Sequence, residues 1–136
     1  MENSRDSHHV IKLRPGDDLR GCIENTVAQG KMEAGWIVSC VGSLQCYCLR
    51  FANRQEPSTA TGYFEIVHLS GTVSISGCHL HVAIADGNGT MIGGYLLPGC
   101  TIYTTAEIVL TQSGNYVFKR EHDPDSGFKE LWIGQQ

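Results

Sequence analysis

Residues 77–100 read GCHLHVAIADGNGTMIGGYLLPGC, and the periodicity of this stretch decides the fold. From Cys78 to Ala85 apolar and other residues alternate with period two, the pattern of a β-strand with one face turned to a core. Asp86-Gly87-Asn88-Gly89 follows, a turn signal because these residues tolerate positive φ. The chain then returns through Gly93-Gly94-Tyr95, so the segment reads as an antiparallel hairpin. Residues two apart on a strand point the same way. His79 and His81 therefore project together, while Leu80, Val82 and Ile84 face the interior.

The same reading extends outward. Val10–Arg14 forms a first strand ended by Pro15-Gly16. A helix follows, capped by Asp17 or Asp18, with a buried stripe of Leu19, Cys22, Ile23, Thr26 and Val27 and a left-handed terminus at Gly30. Beyond Gly35 the period becomes two. Trp36–Val41 and Leu44–Ala52 read as strands joined by a Gly42-Ser43 turn, and Asn53–Gly62 as a mobile surface loop. Tyr63–Leu69 and Thr72–Ile75 add two more strands. Thr101–Thr111 is a long strand for which Tyr116–Arg120 is the expected partner, and Leu131–Ile133 is a short closing apolar run.

The 136 residues suit one domain with a single core, spanning about residues 10–131 between flexible ends. The composition, 41% hydrophobic and 18% charged with 16 glycines, is that of a globular, turn-rich β protein. A net charge of -4 without a basic run argues against direct nucleic-acid binding. The polar start lacks the pattern of a secretory signal, and no apolar run is long enough to span a membrane, so an intracellular location, cytoplasmic or nuclear, is expected. The six cysteines (Cys22, Cys40, Cys46, Cys48, Cys78, Cys100) fall mostly in apolar runs without a Cys-x-x-Cys pair, and are expected to be free thiols.

Chemistry centres on the histidine pair. Ala83 and Ala85 leave room beside the imidazoles, and Gly93 and Gly94 allow close approach of the returning strand, so His79, His81, Gly93, Gly94 and Tyr95 are the expected lining of a shallow pocket. A catalytic zinc normally takes three protein ligands, and this motif supplies two imidazoles. His8 and His9 lie in the expected mobile start, His68 on another strand and His122 in the tail. The alternative is a pair of sheet histidines with hydrogen-bonded ring nitrogens. Glu65 and Glu107 interrupt apolar strand runs, where burial would raise a carboxyl pKa and suit it to proton transfer; the alternative is a partly exposed glutamate paired with a neighbour such as Arg50.

Taken in order, RPGDDL (14–19), SCVGSL (39–44), LRFANR (49–54), FEIVHLSGT (64–72), HLHVAIADGNGTMIGGYLLPG (79–99) and TTAEIVL (104–110) resemble the plants-and-prokaryotes-conserved domain, which in plants accompanies AT-hook DNA-binding motifs. The resemblance implies an α+β fold, a largely antiparallel sheet of about six or seven strands with one principal helix, assembled as a homotrimer. In prokaryotic relatives the pattern matching His79-x-His81 is commonly followed by Gly-Gly-His, and the three histidines hold a metal such as zinc. Here the third position is Tyr95, a weak ligand, so zinc would have only His79 and His81. The fold implied also looks like that of acetolactate decarboxylases, which keeps a zinc-dependent lyase or hydrolase as an alternative, with Glu65 or Glu107 as proton carrier. No Arg-Gly-Arg-Pro hook core is present, so a role in DNA-associated regulation requires a separate DNA-binding partner. The leading expectation is a stand-alone trimeric assembly or small-ligand module whose small-molecule or protein partner is unnamed, without a demonstrated catalytic residue.

Overall fold

The computed structural model describes residues 5–136. Its elements are β1 (Ser7–Leu13), α1 (Leu19–Gln29), β2 (Gly35–Arg50), β3 (Ser58–Val73), β4 (His79–Ala85), β5 (Met91–Leu96), β6 (Ile102–Gln112), β7 (Tyr116–His122) and β8 (Lys129–Gln135). Six strands form an antiparallel sheet in the order β1-β6-β2-β3-β4-β5, with β5 also pairing the end of β2, and β7-β8 form a separate two-stranded sheet. One helix on a mostly antiparallel sheet is the α+β arrangement expected. Among the described residues, no helix is long and apolar enough to cross a membrane.

Helix α1 begins where Asp18 can cap it. Asp18 Oδ2 accepts from the Gly21 N–H at 2.8 Å, and Oδ1 accepts from the Gly99 N–H at 2.7 Å, tying the helix start to the loop before β6. Such a cap contributes about 1 kcal/mol. Leu19, Ile23 and Val27 are buried and pin the helix to the sheet; Cys22 and Thr26 sit at its margin. At the C-terminus Gly30 has a right-handed φ of -77°, and Lys31, at φ 48°, is the residue in the left-handed region. The helix ends one residue later than glycine chemistry predicts, because the Met32 N–H closes onto Val27 O and its side chain is wholly buried.

Two breaks expected from glycine do not occur. β2 runs through Gly42-Ser43 without turning, and β3 runs through Ser70-Gly71. A Cβ on Gly42 would lie 2.5 Å from Thr105 O and 2.7 Å from Ala106 Cα, so the glycine marks a close backbone approach of β6. The register shifts between Gly42 and Leu44 against β6 and between Leu44 and Cys46 against β3, the local irregularity of a bulge within a continuous strand. β3 begins at Ser58, which confines the supposed loop to the residues before it.

Two further expectations are corrected. Long strand β6 pairs β1 and β2, whereas Tyr116–Arg120 lies in β7 and pairs β8. His8 and His9, placed in a mobile start, belong to β1: His8 Nδ1 is 3.1 Å from Thr111 Oγ1 and His9 Nε2 is 2.8 Å from Gln112 Oε1. The core gathers Leu19, Ile23, Leu80, Ile84, Ile108 and Leu110 among others, all fully buried.

Candidate functional site: a ring cluster on β4 and β5

Strand β4 alternates as its sequence demands. Leu80, Val82 and Ile84 are buried and His79 and His81 exposed, so core burial on one face fixes the imidazoles on the other. β5 returns antiparallel with Tyr95 directly across from His81. The close approach needs small residues: a Cβ on Gly93 would lie 2.8 Å from Val82 O, and one on Gly94 2.7 Å from Arg50 O. Both glycines therefore serve strand contact rather than pocket lining.

The three rings come together. Ring centroids are 4.9 Å apart for His79–His81, 5.8 Å for His79–Tyr95 and 6.2 Å for His81–Tyr95. Neither imidazole, nor the Tyr95 hydroxyl, makes a hydrogen bond to a described residue. Arg50 lies 4.5 Å and Arg20 5.3 Å from the Tyr95 ring centroid, both in cation–π range. Beside the rings is a hollow of about 250 Å³ lined by Ser70, Gly71, Thr72, His79, His81 and, from the β7–β8 hairpin, Arg120, Glu130 and Leu131. Tyr95 borders this cluster without lining the hollow.

Arg20, Arg50, Arg120 and Glu130 had no signal in the sequence. They reach the site from the helix, the far end of β2 and the hairpin, and only the fold brings those segments together.

The residues do not fit a catalytic zinc. Among the described residues no three His, Cys, Asp or Glu side chains are grouped to hold a metal. The position that would complete a set with His79 and His81 is Tyr95, and it is flanked by guanidinium groups, which oppose a cation. Glu65 and Glu107 are both exposed and line a different cleft, about 570 Å³, together with Val41, Tyr63 and Tyr103. They share a cleft with each other and not with the histidines, so neither is placed as a proton carrier for them. Arg50, proposed as a partner for such a glutamate, instead stacks on Tyr95.

The cysteines are free thiols. Burial pushes the Cys40 and Cys100 thiols up to about 11 and also raises Cys22 and Cys78, which keeps these four protonated at neutral pH.

His79 titrates below the usual histidine range. Desolvation by the surrounding strands comes first, although the side chain as a whole is exposed; the charges of Arg120, His81 and Arg20 add to it, and Glu130 opposes it. The native state then holds fewer protons than the unfolded chain, so stability falls as pH drops from about 6.5 through the depressed native pKa and is unaffected above that window. Urea midpoints measured at about pH 7.5 and about pH 5.5 should diverge less in His79→Gln than in the parent; an unchanged difference would refute this assignment.

The family model for the Plants and Prokaryotes Conserved (PCC) domain matches residues 1–114. The chain belongs to the PCC domain family. Two Synechococcus proteins, each a bifunctional protein GlmU, are 46% and 44% identical to this PCC domain over 125 residues; the match covers 92% of the chain but spans only a fifth of their length. A hypothetical protein of Salmonella enterica has a solved structure that superposes with a TM-score of 0.95 at 36% identity, covering 99% of this chain and 98% of that one. The metal-containing protein AF0104 of Archaeoglobus fulgidus superposes at 0.76 with 24% identity, covering 97% and 99%. A plant- and prokaryote-conserved protein of Pyrococcus horikoshii gives 0.74 with 22% identity, covering 100% and 99%. For the last two the likeness is one of fold.

Proposed function

We propose that this PCC domain is a homotrimeric assembly and small-ligand-binding module. The observation carrying the ligand half is the cluster of His79, His81 and Tyr95, three polar rings without hydrogen bonds to described residues, beside a hollow of about 250 Å³. Convergent polar groups next to a concavity are the ordinary form of a binding site. No residue in the hollow has an evident catalytic assignment, and the proposal does not include a reaction.

The assembly half draws on the sheet. Val10, Val38, Val41, Tyr63, Val67 and Tyr103 of β1, β2, β3 and β6 are exposed, Val10 at 75% and Tyr63 at 72%. Val10 lies across from Val109, and Val41 across from Glu107, so part of this surface is continuous over three strands. Apolar exposure on that scale suits a subunit contact. The larger cleft with Glu65 and Glu107 opens among the same residues. In the two Synechococcus proteins the matching segment is one part of a much longer chain, as suits a module joined to another activity. With a net charge of -4, the isolated domain is not expected to bind DNA directly.

Two measurements test this. Light scattering should give three times the 14.9 kDa chain mass, and Val41→Arg should lower it; a monomeric parent protein removes the assembly reading. Thermal-shift screening against anionic, neutral and cationic metabolites should give at least one stabilising ligand whose effect disappears in His79→Ala/His81→Ala. Absence of any such ligand removes the binding reading.

A further inference from the structure

We infer that the hollow beside His79 and His81 receives the oxyanion of a small ligand, a carboxylate or phosphate group; the inference rests on the binding reading above and names its ligand class. The sheet register builds the site. Arg50 lies across from Tyr95, Tyr95 across from His81, and His81 across from Ser70. Residues directly opposite on antiparallel strands share a face, so four polar side chains from β2, β5, β4 and β3 form one row, roughly 14 Å long at about 4.8 Å per strand. His79 and Thr72 form the neighbouring row. Arg120 reaches across from β7.

The donors in this site outnumber its acceptors. Arg120 Nη2 donates to Thr72 Oγ1 at 2.7 Å, leaving Nε and Nη1 unused by described residues. Its backbone N–H donates to Ser76 Oγ at 3.0 Å, which holds the residue in place over the hollow. The Arg50 guanidinium donates to no described residue, and the two imidazoles add ring nitrogens. The one acid on the wall is Glu130. Charge-assisted hydrogen bonds from guanidinium and imidazole match carboxylate and phosphate oxygens, whereas a metal cation would meet only two imidazoles and the field of the arginines.

Arg20 has a different part. Its Nε pairs with Glu24 at 2.8 Å, Nη1 donates to Leu96 O at 2.8 Å and Nη2 to Cys78 O at 2.7 Å. With its donors committed, Arg20 is a positioning residue that braces the Tyr95 ring. Size narrows the ligand further. A hollow of about 250 Å³ falls below the roughly 300–1,000 Å³ usual for drug-sized ligands, so it suits one oxyanion group, with any remainder lying over Tyr95 toward Arg50.

The test uses the full chain with labelled histidines, following imidazole resonances by NMR at constant ionic strength. Inorganic phosphate and malonate are titrated in separate arms that distinguish the two oxyanion sources, and sodium chloride, glycerol and zinc chloride serve as comparators. The expected result is saturable movement of His79 and His81 signals with at least one oxyanion, weakened about tenfold or more in Arg120→Gln, as loss of a charged hydrogen bond implies. Glu130→Gln takes the one acid off the wall at an exposed hairpin position; it should strengthen binding severalfold and decides the matter if Arg120→Gln fails to fold. No saturable movement with either oxyanion, or affinity unchanged in the Arg120 and Glu130 variants, overturns the inference. Saturation by glycerol or zinc alone also overturns it, while leaving the broader binding reading in place.

Discussion

Gly71→Ala should destabilise the domain by about 3 kcal/mol or more and lower Tm by roughly 10 °C. Gly71 sits inside β3 at φ 146°, across from Leu80, in a backbone conformation that side chains rarely adopt. An added Cβ would also collide with the carbonyl oxygen of His79, which is main chain and cannot rotate away. Two costs coincide there: strain at the residue and displacement of the strand that carries the histidines. Gly87→Ala is the matching control. A methyl group at Gly87 would meet no atom within 4 Å, so this replacement should change stability by less than about 0.5 kcal/mol. Thermal unfolding of both variants decides the matter, and equal effects would mean that the close approach of β3 and β4 is not as described.

Leu80→Ala should cost about 3–5 kcal/mol, measured as the shift in guanidinium midpoint at constant m-value. Leu80 is fully buried and lies between the two histidines on β4, so it is the side chain that anchors their strand in register. Removing its methyl groups forfeits transfer energy and leaves a cavity that a strand paired on both edges cannot easily collapse. Leu80→Met, which conserves volume, should lose less than about 1.5 kcal/mol. A loss below about 1 kcal/mol for the alanine variant would show that the face opposite the rings is looser than its burial implies.

Much of this architecture was legible where a local pattern had one physical meaning. The alternation around His79 and His81 could bury only one face, and Asp18 could cap only a helix beginning at Leu19. On β6 the alternation holds from Ala106 to Leu110, but Thr104 is exposed, because the partner strand slips register near Gly42. Glycine misled the reading at Gly42 and Gly71 for a common reason. A glycine needed for a turn and one needed for close backbone approach look identical in one chain, and only the neighbouring strand distinguishes them. The ring cluster was visible because its members share a hairpin. Its arginines were not, since Arg20, Arg50 and Arg120 are brought together by long-range pairing and docking, and Arg120 belongs to a strand whose partner was misassigned to β6.

The family match stops at Gly114, whereas Arg120, Glu130 and Leu131 stand on the hairpin that follows it. All six strands of the large sheet lie before that point. The floor of the hollow thus comes from the large sheet and one of its walls from a separate two-stranded hairpin. Because that wall hangs on its own two-stranded sheet, its side chains can be exchanged without disturbing the strands that hold the floor, much as a vice accepts a different jaw without rebuilding its frame.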